Sequence, residues 1–257
     1  MPIVELAKTK LEYLRFGKGA PLILLHGFPL DNRIWIRVRP LLEDQFEVIL
    51  PNLRGFGNSH AKKNGNSTFD MAQDIVELMD ALKIKKGIIA GHSMGGYVTL
   101  AFADAYPERL LGLGLISTQS LADNSEKKAS RYQTATQVEG LGMEVLAESM
   151  SDKLVTDQEL RKITSEIILS QNKSGSVEAL KALAERPDLS LVLKDLQCPT
   201  AIIHGNADSL IPVERAEEMH NACSFSSLTI LDRTGHMPML ERPTETAIAL
   251  KRLTEGL

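Results

Sequence analysis

The heptapeptide Ala90-Gly91-His92-Ser93-Met94-Gly95-Gly96 sets one serine hydroxyl among closely spaced glycines. A serine hydroxyl is a poor nucleophile at neutral pH. It needs a base to take its proton, and the base needs a carboxylate to hold it in one tautomer. Among the six histidines, His236 follows the last apolar run in a Gly-His turn and is the candidate base. Asp208 lies in the turn after the apolar run 200–203 and is the candidate acid. Asp123, in the loop after the preceding apolar run, is its competitor, but it opens a charged stretch and reads as solvated surface. These residue types support attack on an acyl carbonyl through a covalent intermediate.

Gly-x-Ser-x-Gly gains this meaning only between a buried strand and a helix. Here the apolar run 87–90 precedes it, and helical spacing over 97–105 follows. So sharp a turn leaves no room for Cβ atoms beside the serine. It also aims the unpaired N–H groups of a helix start at whatever the serine attacks. The runs 21–25, 46–50, 110–116, 200–203 and 227–231 read as further buried strands, and 68–82, 213–221 and 243–253 read as helices. Along 68–82, Met71, Ile75, Leu78, Met79 and Leu82 share one face. Strands and helices alternating in this way predict an α/β fold built on a doubly wound parallel sheet. In such sheets functional groups come from loops at the carboxyl ends of the strands, which puts Ser93, Asp208 and His236 on one edge.

Two stretches read differently. Residues 4–16 alternate polar and apolar and predict an exposed antiparallel hairpin. Residues 35–42 predict a short helix interrupted by Pro40, with Trp35 as a packing residue. From 117 to 195 strand signals stop. Met143, Leu146, Met150 and Leu154 fall on one helical face, and Thr156-Asp157-Gln158-Glu159 reads as a capping box. The expected organisation is a core formed by 1–116 and 196–257, with 117–195 as an inserted helical cap.

The chain has 257 residues, 43% hydrophobic and 24% charged, with a formal net charge of −4. That is a globular composition with no basic stripe, which disfavours nucleic-acid binding. No apolar run approaches the roughly 20 residues that span a bilayer. The N-terminus lacks a signal-peptide pattern, so a cytoplasmic location is expected. Cys198 and Cys223 offer neither a disulfide framework nor metal-ligand spacing and are expected to be reduced and buried.

Five motifs appear in register: His26-Gly27-Phe28-Pro29, Arg54-Gly55-Phe56-Gly57-Asn58-Ser59, Gly91-His92-Ser93-Met94-Gly95-Gly96, Gly205-Asn206-Ala207-Asp208 with Pro212, and Gly235-His236. Together they resemble the α/β-hydrolase superfamily over the chain outside 117–195. Within it, the sequence is similar to bacterial carboxylesterases, 3-oxoadipate enol-lactonase-like enzymes and cofactor-free haloperoxidase-like serine hydrolases. The resemblance implies a mostly parallel eight-stranded sheet flanked by helices, with an inserted helical cap. It implies that Ser93 attacks an acyl carbonyl, that His236 takes and returns the proton, and that Asp208 orients His236. The backbone N–H groups of Phe28 and Met94 would hold the oxyanion. It implies no metal and no organic cofactor, and a small-molecule ester or lactone as the partner, with neither nucleic acid nor membrane.

Phe28, Met94, Met143 and Met237 are expected to border the substrate. The stretch 117–195 holds one aromatic residue, Tyr132, among many Leu, Ile and Met, which suits small to medium aliphatic acyl groups. His26, His92 and His204 are expected to be structural, and His60 and His220 to lie on the surface. Arg54 is expected to pin its own loop, where Asn52 departs from the Asp common in related loops. Carbon–carbon bond hydrolases and perhydrolase or haloperoxidase-like enzymes share the scaffold. A hydroxynitrile lyase would also need a basic residue from the cap beside the serine. Slow-turnover receptors share the fold too but generally lack the run Met94-Gly95-Gly96. Dehalogenases and epoxide hydrolases carry Asp where this chain has Ser93.

Overall fold

The computed structural model describes residues 1–60 and 66–255. Eight strands form one sheet: β1 (Ile3–Glu5), β2 (Lys10–Gly17), β3 (Ala20–Leu25), β4 (Phe46–Pro51), β5 (Gly87–His92), β6 (Leu110–Ile116), β7 (Thr200–Gly205) and β8 (Ser226–Leu231). Their order across the sheet is β1-β2-β4-β3-β5-β6-β7-β8. β1 and β2 pair antiparallel at one edge, and β2 pairs antiparallel with β4; every later pairing is parallel. The expected edge hairpin and parallel sheet are therefore both present. All six residues of β5 are buried, as are those of β7. Continuous burial is what a parallel strand covered on both faces requires, and it explains their unbroken apolar runs.

The order of winding fixes where a site can form. From β3 the chain goes outward to β4, then returns past β3 to β5 and continues through β6, β7 and β8 in the other direction. The loops after β3 and β5 thus diverge, and a crevice opens at the carboxyl ends of these adjacent strands. The loop after β3 carries Phe28, β5 leads into Ser93, and the loops after β7 and β8 carry Asp208 and His236.

Helices flank the sheet: α1 (Thr68–Ala81), α2 (Met94–Ala105), α3 (Ser125–Leu141), α4 (Glu144–Leu154), α5 (Gln158–Leu169), α6 (Lys173–Ala184), the short α7 (Val192–Asp195), α8 (Glu214–Ala222), the short α9 (Pro238–Glu241) and α10 (Pro243–Lys251). α1 opens on a full capping box between Ser67 and Asp70. α3 to α7 lie between β6 and β7 in the chain; α3 packs on α6, and α4 on α5. Among the described residues no helix is long and apolar enough to cross a membrane.

Three local expectations are corrected. Residues 35–42 form no α-helix; two 3-10 turns, Asn32–Trp35 and Arg39–Leu41, stand there, because Pro40 cannot donate the hydrogen bond a longer helix needs. Trp35 is fully buried as expected. The N-cap of α5 is Asp157, whose carboxylate accepts from the Glu159 and Leu160 amides, while Thr156 bonds Glu241 instead. Cys223 is buried, but Cys198 is only half-buried; both are free thiols, and desolvation raises Cys198 to about 11.

One buried ion pair ties the Gly-rich loop after β4 to α1. Arg54 donates from Nε and Nη2 to the two carboxylate oxygens of Asp74, each at 2.6 Å, and from Nη2 to the Asp70 carbonyl. Arg54 does pin its loop, and the partner is a helix outside it. Asn52 serves a separate network: its Oδ1 accepts from the Asn32 amide and its Nδ2 donates to the buried Glu12. Removing one partner of the Arg54–Asp74 pair strands a buried charge. Arg54→Met is expected to cost about 3–5 kcal/mol in urea unfolding, and Arg54→Met/Asp74→Leu to recover most of it. A loss below about 1 kcal/mol for the single variant contradicts this reading.

Candidate active site

Ser93 sits at the junction of β5 and α2 with φ 51° and ψ −113°. A non-glycine residue in this region of backbone space costs on the order of 1–3 kcal/mol. The surroundings impose it. The Ser93 amide donates to the Ile116 carbonyl of β6, and the Ser93 carbonyl accepts from the Gly96 amide and the Thr118 hydroxyl. Close packing enforces the same path: a Cβ on Gly91 would strike the Gly95 backbone, and one on Gly95 would strike the Leu25 carbonyl of β3. These glycines let α2 start directly against the sheet, with its first amides beside the serine.

His236 and Asp208 come together from separate loops. His236 Nδ1 donates to Asp208 Oδ2 at 2.6 Å, and both side chains are buried. Asp208 Oδ1 also accepts from the Leu210 and Ile211 amides. Burial pushes the Asp208 carboxyl up, but His236 and these amides outweigh it, and its pKa ends below the usual carboxylate value. With Nδ1–H committed to Asp208, Nε2 is the nitrogen of a neutral His236 that carries the lone pair. His236 and Ser93 line one cavity of about 140 Å³. Among the described residues no hydrogen bond joins the Ser93 hydroxyl to His236.

The other histidines have fixed structural work. His26 Nδ1 donates to the Gly27 carbonyl and its Nε2 accepts from the Leu53 amide; burial lowers its pKa to about 4. His92 Nε2 donates to the His236 carbonyl at 2.8 Å, and burial holds its pKa well below the ordinary value. His204 Nε2 donates to the Ile211 carbonyl, and burial lowers its pKa as well. All three are neutral struts around the loops that carry Phe28, His236 and Asp208. His60 is exposed, and His220 is half-buried against Ser226.

Phe28 and Met94 line the cavity. Their amides make no backbone hydrogen bond to another segment among the described residues, which leaves two donors beside Ser93. Met143 and Met237, also expected to border substrate, are buried in the core and are not among the lining residues. The wall also includes Tyr97, Met150, Leu183, Leu210, Ile211, Lys127 and Arg131, none of which the sequence points to as bordering substrate. Met150 and Leu183 carry a signal, each on an apolar helical face. The aromatic wall therefore comes from Phe28 in the loop after β3 and Tyr97 of α2. Tyr132 is exposed and hydrogen-bonded to Glu185. The reading of Asp123 as solvated surface is overturned: its carboxylate is fully buried between Arg131 and Arg186, because two guanidiniums compensate its loss of water.

Comparison with known proteins agrees with this architecture. A family model described as alpha/beta hydrolase fold matches residues 20–243. A thermophilic esterase from Thermogutta terrifontis, solved with malate bound, superposes with a TM-score of 0.95 at 34% identity, over 98% of this chain and 97% of that one. The enol-lactonase from Burkholderia xenovorans LB400 superposes with a TM-score of 0.91 at 22% identity, over 99% and 100%. The dihydrolipoyllysine-residue acetyltransferase component of the acetoin cleaving system of Pseudomonas putida is 29% identical over 87% of this chain; the chain spans 60% of that protein's length.

The strain at Ser93 has a measurable consequence. Glycine tolerates this backbone region and alanine does not, so Ser93→Gly is expected to be about 1 kcal/mol more stable than Ser93→Ala in urea unfolding, after glycine's own entropic cost. Equal stability, or a more stable alanine variant, contradicts the strained turn.

Proposed function

The chain belongs to the alpha/beta hydrolase fold family, and on that premise we propose that it is a serine carboxyl-ester hydrolase acting through an acyl-enzyme on Ser93. The observation that carries the reading is the 2.6 Å bond from His236 to Asp208 beside a cavity that Ser93 and His236 both line. The 34% identity to an esterase along nearly the whole of both chains supports it. In this reading residues 117–195 act as a cap over a core formed by 1–116 and 196–257.

His236 Nε2 takes the Ser93 proton as Oγ bonds to the acyl carbon. The carbonyl electrons move to oxygen, and the Phe28 and Met94 amides stabilise that oxyanion by roughly 3 kcal/mol each. When the tetrahedral intermediate collapses, the ester C–O bond breaks and His236 returns the proton to the leaving alkoxide. Water then repeats the cycle on the acyl-enzyme and releases the acid and free Ser93. Asp208 stays ionised, fixes the His236 tautomer and stabilises the imidazolium.

The cavity is small, and Phe28, Met94, Tyr97, Met150, Leu183, Leu210 and Ile211 are apolar or aromatic. The small volume, and not a lack of aromatic contacts, supports short aliphatic acyl groups over benzoyl groups. For p-nitrophenyl esters, kcat/KM is expected to peak between acetate and hexanoate and to fall for octanoate and benzoate; a benzoate preference overturns the substrate reading.

Asp208→Asn is expected to lower kcat about 10⁴-fold, because the amide holds the wrong tautomer of His236. Ser93→Ala and His236→Ala should lose at least as much, and combining them should add little further loss. Steady-state kinetics with p-nitrophenyl butyrate decide this, and a near-wild-type rate for His236→Ala refutes the assignment.

A further inference from the structure

The cavity wall contains two cations, Lys127 and Arg131, both from α3. They are four residues apart on one helix and so share a face, where like charges destabilise the helix. This placement runs against local stability and against a chain whose net charge is −4. Nearby acids do not neutralise it. Asp123, fully buried, is shared between the Arg131 and Arg186 guanidiniums, so one carboxylate serves two cations. Arg186 lies over the Tyr97 ring at 4.2 Å, which sets a third cation behind the cavity wall. The neighbouring Lys128 is paired with Glu185. Among the described residues Lys127 forms no ion pair. Although Lys127 is exposed as a whole residue, its ammonium is partly desolvated; that desolvation, then repulsion from Arg131, lowers its pKa against the opposing pull of Asp123.

Uncompensated positive charge in a partly enclosed, otherwise apolar cavity attracts an anion and raises its local concentration. Neutral alkyl esters give such a group nothing to meet. We propose that α3 carries an anion subsite, in which Lys127 and Arg131 bind a free carboxylate at the far end of the acyl chain. The preferred substrates are then half-esters of short dicarboxylic acids. Met94, Met150, Leu183 and Ile211 enclose the methylenes between the two ends. This rests on the serine-esterase reading above and names the substrate class of the same site.

The test compares monoethyl succinate, glutarate and adipate with neutral ethyl esters of matching length, followed by pH-stat titration. At least one half-ester is expected to exceed its neutral counterpart in kcat/KM by about tenfold, as for a charge-assisted hydrogen bond. The ratio should shrink in 0.5 M NaCl, which screens the attraction. In Lys127→Gln the ratio should fall toward one, in Lys127→Glu it should invert, and in Lys127→Arg it should survive. Lys127 lacks a structural partner, so these variants should keep the wild-type Tm; Arg131→Gln, which also loosens Asp123, is the second variant and should lower the same ratio. If neutral esters are hydrolysed and no half-ester is preferred, or if Lys127→Gln leaves the ratio intact, the anion subsite is wrong and the esterase reading stands. If neither class is hydrolysed, both fall.

Discussion

The turn at Ser93 depends on how closely a helix can approach a sheet. β5 passes into α2 with no intervening residue except Ser93 itself, and glycines at 91 and 95 are what allow it. Side chains at those positions would overlap backbone on the facing segment, so the helix would have to move away. With that movement the first amides of α2 would leave the crevice between β3 and β5. The strain in the serine backbone is the cost of this closeness; the bond from the Ser93 amide to the Ile116 carbonyl, and those the Ser93 carbonyl accepts from Gly96 and Thr118, hold it in place.

Around this fixed point the structure uses neutral, buried histidines as struts. His26 clamps the loop after β3, His92 reaches from the serine turn to the His236 carbonyl, and His204 spans the Asp208 loop. Each contributes a hydrogen bond that fixes a loop, and no charge. A charged group so near the proposed base would compete for Asp208; desolvation keeps all three neutral. Between β6 and β7 in the chain, Arg131 and Arg186 both pair with the buried carboxylate of Asp123, and Arg131 lines the cavity.

The sheet was legible in the sequence because parallel strands are buried on both faces, so the apolar runs at 21–25 and 87–90 mark β3 and β5 directly. The order Ser93, Asp208, His236 was legible because loops at strand ends fall on one edge of such a sheet. The cavity wall was not. Met237 adjoins His236 in sequence and Met143 opens an apolar helical face, but which helix face meets the crevice is set by packing of α3 on α6 and of α4 on α5. No local pattern encodes that packing, and the same gap hid Lys127 and Arg131, whose spacing is that of a solvated helix face. The burial of Asp123 escapes the sequence for a related reason: its compensating cation Arg186 is remote in the chain.

The central claim is that the strained Ser93 is the nucleophile. Its most direct measurement is covalent capture: the folded enzyme is treated with an alkyl fluorophosphonate and examined by intact-protein and peptide mass spectrometry. The account predicts one adduct per chain, located on Ser93, that forms far more slowly in Asp208→Asn. An adduct on another residue, or none in folded protein, would contradict it.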